Sequence, residues 1–366
     1  MTMSITIEAV LVTILLTITI VISDDTVLIP ADKSQVKSWY QNSVKPYKAR
    51  KHTLDPALMT AESHAKVIKV RKDGKGDFKT VTDAVKSIPD KNTRRIIVWI
   101  GGGNYTEKIR IDRNKPFVTF YGSPNDMPTL VYDDTAKECG TVDSATLIVE
   151  SDYFIALNLI IVNSAPRPDG KREGAQAVSL RISGDKAAFY NCKVHGFQDT
   201  ICDDRGKHFF QNCYIEGTVD FIFGNGRSLY LNTELHVLPG ENIAIVTAQA
   251  RESSSDSTGY SFVHCNISGS GSNIFLGRAW RTFSRVVYAY THMSNVVTPQ
   301  GWSDHYNPQK DNFCRVFFGE YMCTGPGSNT TNRAEFSKKL RDVDVKPFIC
   351  LGFIEGSKWL LPLHMV

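Results

Sequence analysis

From Val67 onward the chain alternates short apolar runs with Gly, Asn, Asp and Pro, and almost none of it repeats at a helical period. Runs at 67–70, 96–100, 117–121, 146–149, 154–162, 177–182, 207–210, 228–231 and 243–247 are rich in β-branched and aromatic residues, the pattern of strands. One stretch differs. Phe78, Val81, Ala84, Val85 and Ile88 fall on one helical face, with Asp77 as N-cap and Pro89 as a stop. A second helix candidate covers 333–340. With no helices alternating between the strands, the pattern argues against a doubly wound α/β sheet.

The strands carry a repeat. Phe189-Tyr190-Asn191-Cys192 and Gly196-Phe197-Gln198-Asp199-Thr200 are followed by Phe210-Gln211-Asn212-Cys213 and Gly217-Thr218-Val219-Asp220-Phe221. Asn191 to Asn212, Gly196 to Gly217 and Asp199 to Asp220 are each 21 positions apart. Such a period marks a solenoid, in which one turn cannot bury its apolar side without a neighbour. The Asn phase extends to Asn158 and Asn232, at bends where Asn tolerates left-handed backbone and can bond its counterpart one coil away. The expectation is an all-β, single-domain, right-handed parallel β-helix whose open end is capped by the short N-terminal helix. Equivalent residues then lie one strand spacing, about 4.8 Å, apart. Asp199 and Asp220 become neighbouring carboxylates, an arrangement that does not serve stability.

Before Val67 the pattern changes. Residues 9–22 form an uncharged, largely apolar run that ends at Ser23-Asp24-Asp25. It is shorter than the ~20 residues that span a bilayer but fits the core of a signal peptide. The expected division is a signal peptide over 1–23, an arm over 24–64 lying across an end of the fold, and the coil over 65–366. An exported chain fits three Asn-x-Ser/Thr acceptors, Asn104, Asn266 and Asn329. Eight cysteines permit disulfides without fixing a pairing, and Cys192 and Cys213 can equally stack as small buried hydrophobes. A net charge of +4 with scattered basic residues gives nucleic acid no footprint, though it suits a polyanionic partner. Nine histidines without ligand spacing, and no Cys-x-x-Cys pair, argue against a metal site.

Candidate chemistry sits where polar residues interrupt apolar surroundings. Asp220 precedes Phe221-Ile222-Phe223-Gly224, Asp199 follows Gly196-Phe197-Gln198, and Gln176 opens Ala177-Val178-Ser179-Leu180. Arg278 interrupts Ile274-Phe275-Leu276-Gly277 before Ala279-Trp280. Singly, each Asp is better read as a turn residue, each Gln as a ladder or surface residue, and Arg278 as an ion-pair partner. In phase, two carboxylates raise the pKa of one of them, and an Arg fork decides which stays charged.

These motifs, together with Gly103-Asn104-Tyr105-Thr106-Glu107, Gly319-Glu320-Tyr321 and Gly356-Ser357-Lys358-Trp359-Leu360, resemble the plant pectinesterases (pectin methylesterases) from about Val67 to Leu361. Ala279, where the family more often has Pro, brings the likeness nearest to pollen-type members, and the segment before Val67 is too short for an inhibitor-like pro-domain. The resemblance implies an esterase that removes C6 methyl esters from homogalacturonan without cofactor or metal. It implies Asp220 as nucleophile, Arg278 as the group that orients it, and Gln176 and Gln198 as oxyanion donors. Asp199 is implied as proton donor and then base, with Thr141, Gln176, Arg278 and Trp280 on the substrate. Phe197, Phe223 and Trp302 are further candidates that fit a core equally well. Implied partners are pectin and a proteinaceous pectinesterase inhibitor, with no nucleic acid and no membrane for the mature form. A monomer secreted to the cell wall is expected. A pectate lyase would want an acidic calcium cluster and a polygalacturonase carboxylates flanking a glycosidic bond; neither calls for two glutamines beside the Asp pair. A non-catalytic wall-binding coil is the rival from another class.

Overall fold

The computed structural model describes residues 24–50, 53–239, 243–271, 273–304 and 315–362; the expected signal peptide lies outside them. Each winding visits three sheets in turn. Ala187–Tyr190 runs in the first sheet, the chain bends at Asn191 (φ 49°), Lys193–His195 runs in the third, and Ile201–Asp203 in the second. Lys207–Gln211, Tyr214–Gly217 and Ile222–Gly224 repeat the path one coil on, with Asn212 (φ 55°) at the bend. Phe189 pairs with Phe210, Lys193 with Tyr214 and Ile201 with Ile222, all in parallel and all at the 21-residue offset. The sheets hold eleven, eight and eight described strands, wound as a right-handed parallel β-helix.

Stacked like residues hold the coils together. In the core behind the first sheet a file of rings runs Phe120, Phe154, Phe189, Phe210, Tyr230, Phe262, Tyr288, Trp302 (from the second sheet) and Phe318, neighbouring centroids 4.4–5.8 Å apart. Each ring buries apolar area and adds about 0.5–1.5 kcal/mol per contact beyond it. At the bend, Asn191 donates to the Asn158 side chain at 2.9 Å and Asn232 to Asn212 at 2.7 Å. The Asn phase read from sequence is a ladder of amides. Cys192 and Cys213 are buried in the core, and the seven described cysteines are unbridged.

Several elements depart from expectation. The run at 154–162 is two strands, Ile155–Leu157 and Ile160–Asn163, because Asn158 bends the chain as Asn191 does. Likewise the run at 243–247 splits into Ala244–Ile245 and Thr247–Gln249, and only Leu180–Ile182 of 177–182 is strand. The capping helix is Val81–Lys86, and its N-cap is Thr80, not Asp77. Asp77 instead accepts from the backbone N of Lys69, while Glu107 accepts from the N–H groups of Val81 and Thr82. Val81, Ala84 and Val85 close the first coil as expected. The predicted helix at 333–340 contains a strand, Ser337–Lys339, added to the first sheet.

The arm over 24–64 does not cover an end of the coil. Helices Val36–Ser43 and Pro56–Glu62 lie along the outer face of the first sheet, where Tyr40 stacks on Phe209 at 5.7 Å. Polar clamps fix the arm there. Asp25 accepts from Ser357, Arg50 donates to the carbonyls of Gly356, Ser357 and Leu360, and Asp55 receives Lys186 at 2.8 Å and Tyr153 at 2.9 Å. A strand face that would read as exposed is thereby covered.

Candidate active site

The third-to-second-sheet connection builds the site. In two successive coils this connection is Gly196–Thr200 and Gly217–Phe221, and both need glycine at the first position. A Cβ at Gly217 would lie 2.2 Å from Phe221 Cβ and 2.7 Å from the Phe197 carbonyl oxygen. A Cβ at Gly196 would lie 2.8 Å from Thr200 Oγ1. Gly217→Ala is therefore expected to cost about 1–3 kcal/mol through overpacking, measured as a lowered denaturation midpoint. Tight turns force both Asp residues into left-handed backbone, φ 66° at Asp199 and φ 52° at Asp220. That conformation is uncommon outside Gly, and each coil holds it in the next. Thr218 N donates to Phe197 O at 2.9 Å, Asp199 N to Val219 O at 3.1 Å and Ile201 N to Phe221 O at 2.9 Å.

Arg278 arrives from two coils further on. Phe223 pairs with Ala248 and Ala248 with Arg278, so a methyl group separates the arginine from the Asp220 coil. The guanidinium reaches back over that gap and grips Asp220 with both arms, Nε on Oδ1 at 2.8 Å and Nη2 on Oδ2. Both side chains are buried. Arg278 Cζ lies 4.8 Å from the centre of the Trp280 ring, and Trp280 is 54% exposed, a flat apolar surface left open to solvent. Asp199 has no such fork. Burial first, and then the Asp220 charge, push its pKa well above the ordinary 3.8, with only partial relief from Arg278. Arg278 thus holds Asp220 in an ion pair, while burial and the neighbouring charge favour the protonated form of Asp199.

A cleft of about 620 Å³ brings Thr141, Gln176, Gln198, Asp199, Asp220 and Arg278 together, with Trp280 at its wall. The backbone at Gln176 is fixed by its main-chain carbonyl, which accepts from Ala136 N at 2.8 Å, and the main-chain carbonyl of Gln198 accepts from Ala177 N at 3.3 Å. Of the further aromatic candidates, Phe223 lines the cleft. Phe197 lies under the Arg167 guanidinium at 5.7 Å, and Trp302 is fully buried in the ring file. Val219, Ile243 and Ala248 also line the cleft and were not singled out from sequence. Val219 was findable, because it stands 21 positions after Gln198. Ile243 and Ala248 follow longer, irregular windings and carry no such signal.

Asn104 and Asn329 are exposed, whereas Asn266 is half-buried and donates to Glu234 at 2.6 Å. Among the described residues no group of three or more His, Cys, Asp or Glu is placed to hold a metal ion, and no helix is long and apolar enough to cross a membrane.

Comparison with known proteins agrees with this picture. The family model for pectinesterase matches residues 67–357. Pectinesterase 2 of Olea europaea is 58% identical over 363 residues, covering 99% of this chain and 98% of that protein. A pectinesterase of Parthenium hysterophorus is 58% identical over the same length and coverage. Among solved structures, pectin methylesterase from carrot superposes with a TM-score of 0.75 at 29% identity, covering 81% of this chain and 97% of its own. A pectin methylesterase solved in complex with a hexasaccharide gives a TM-score of 0.68 at 25% identity, covering 83% of this chain and 100% of its own. With a family model matched over 67–357 and relatives 58% identical over almost the whole length, the chain belongs to the pectinesterase family, enzymes that hydrolyse the methyl esters of pectin.

Proposed function

We propose that de-esterification here runs through an aspartyl acyl-enzyme, with Asp220 as nucleophile. The observation that carries this reading is the in-register pair Asp199–Asp220 with Arg278 gripping Asp220 through two hydrogen bonds. The Asp220 carboxylate attacks the C6 ester carbonyl of a methylated galacturonate, and the carbonyl electron pair moves to oxygen. Gln176 and Gln198 donate side-chain N–H groups to that oxyanion. Asp199, protonated, passes its proton to the departing methoxyl, so methanol leaves and an anhydride joins Asp220 to the sugar. Asp199, now charged, takes a proton from water. The hydroxide adds to the sugar carbonyl, the anhydride opens to free the Asp220 carboxylate, and the new C6 carboxylic acid loses its proton to solvent as pectate.

Trp280 offers a face for a sugar ring and Thr141 a hydroxyl at the cleft edge. Replacing Gln176 or Gln198 by Ala is expected to lower kcat by roughly 10²–10³-fold with little change in KM, the signature of a donor used chiefly in the transition state. Methanol assay on methylated homogalacturonan checks both. The same assay tests the reading itself: methanol release without chain shortening supports an esterase, and shortening supports a lyase or glycosidase.

The setting is part of the proposal. Residues 1–23 act as a signal peptide, the mature chain is a monomer secreted to the cell wall, and Asn104 and Asn329 are the accessible glycan acceptors. The arm 24–64 belongs to the catalytic unit, clamped to it by Asp25, Arg50 and Asp55. A proteinaceous inhibitor is a partner to be sought at the open cleft. The mild positive charge suits an increasingly anionic polymer, and weakening of pectate binding by salt tests that.

A further inference from the structure

Outside the cleft the coil buries a second ion pair that the proposed chemistry does not use. The side chains of Glu320 and Arg333 are both almost completely buried, Nε on Oε1 at 2.9 Å and Nη2 on Oε2 at 3.1 Å. A buried pair is costly to desolvate and weak evidence for stability on its own, so its retention asks for a task. Its other contacts point to one. The Trp302 indole N–H donates to Glu320 at 3.0 Å, and Arg333 also donates to the carbonyls of Thr298 (3.1 Å) and Pro299 (3.0 Å), the turn that leads into Trp302.

Trp302 and Ser303 form the strand that pairs directly with Gly277 and Arg278. The Trp302 ring stacks on Phe318 at 4.5 Å and presses its edge against Gly277, where an added Cβ would lie 3.2 Å from Cζ3. Leu276 N donates to Gly301 O at 2.7 Å. At the bend before Gly277, the Tyr288 and Thr247 hydroxyls donate to the Leu276 carbonyl at 2.9 Å and 3.0 Å. Leu276 and Gly277, the two residues before Arg278, are therefore fixed by these contacts. Directly below Arg278 in the sheet lies the small side chain of Ala248, past which the guanidinium reaches Asp220.

We infer that Glu320 and Arg333, acting through Trp302, are positioning residues for Arg278 and so for the Asp220 carboxylate it orients. The inference rests on the esterase reading for its kinetic test but not for its structural one. The charged groups facing Asp199 are Asp220 and Arg278, and Arg278 is the one that lowers its pKa. A guanidinium that has drifted lets Asp199 titrate higher.

The test uses Trp302→Phe, which keeps a ring in the stack and removes the N–H, and Glu320→Gln, which keeps the shape and removes the charge. The expected results are a folded protein, kcat lower by about tenfold, KM within about twofold, and an alkaline limb of the pH–rate profile displaced upward by roughly 0.5 unit. In an Arg278→Lys background the same substitutions should cost less than about twofold, because the group they position is gone. Asp199 titration is also read without turnover, from the pH dependence of unfolding of each protein against its Asp199→Asn counterpart. A lowered melting temperature with unchanged kcat per folded molecule and an unmoved Asp199 titration would overturn the inference, and so would full additivity with Arg278→Lys. Wild-type protein that released no methanol would instead sink the esterase reading, leaving the unfolding titration to decide this one.

Discussion

Asp220→Asn should abolish methanol release, by at least about 10⁴-fold, in a protein that still folds. An amide has no anionic oxygen to attack the ester, so the loss falls on kcat whatever the substrate concentration. Removing the charge also leaves Arg278 buried without its counter-ion, and breaking a buried pair costs about 3–5 kcal/mol when one partner is lost outright. The Asn carbonyl can still accept from one arm of the fork, so the expected destabilisation is smaller than for Asp220→Ala. Melting temperature and circular dichroism beside the methanol assay separate the effects: a large kinetic loss with a modest stability loss is the prediction.

Asp199→Asn should behave differently. Turnover is expected to fall by about 10²–10⁴-fold, the usual worth of a positioned acid–base, because neither methanol departure nor water attack is assisted. Stability should move the other way. The folded-state pKa of Asp199 is raised above its ordinary 3.8, so the folded protein holds this proton more tightly than the unfolded chain. The stability linked to it is fully present below 3.8 and is lost as pH rises through the raised folded value. An Asn cannot ionise and does not incur that loss. The variant is therefore expected to gain on wild type as pH rises, becoming the more stable protein on the alkaline side while nearly inactive. Urea denaturation across pH checks the sign, and a variant that lost stability relative to wild type with rising pH would contradict the assignment.

Much of this was readable before any coordinates because the repeat is regular where the chemistry is. The 21-residue offset of Asp199 and Asp220 is the register of Ile201 on Ile222, so the sequence period translates directly into a pair of adjacent carboxylates. The Asn bends were readable for a similar reason: one residue type recurs where the backbone turns left-handed. Applying that rule to Asn158 would have divided the run at 154–162 correctly. Arg278 lies where the rule fails. The windings that lead to it are 25 and 30 residues long, from Ile222 to Thr247 and from Ala248 to Arg278, and periodicity cannot carry phase across such insertions. The arm misled in another way. Its apolar residues Val36, Trp39, Tyr40 and Leu58 pack on a strand face whose outward positions look merely surface-like in sequence, so the contact belongs to tertiary structure alone. The helix expected at 333–340 failed because Arg333 is tied to Glu320 and the following residues complete the first sheet's edge.

The most direct measurement of the central claim is to trap the covalent intermediate. Enzyme turning over methylated homogalacturonan in the presence of hydroxylamine, then digested and read by mass spectrometry, should carry a hydroxamate on the peptide bearing Asp220 and none on that bearing Asp199. No label on Asp220, together with no galacturonyl adduct in the intact mass of acid-quenched enzyme, would mean that water attacks the ester directly, and a label on Asp199 would mean that the two acids had been given each other's roles.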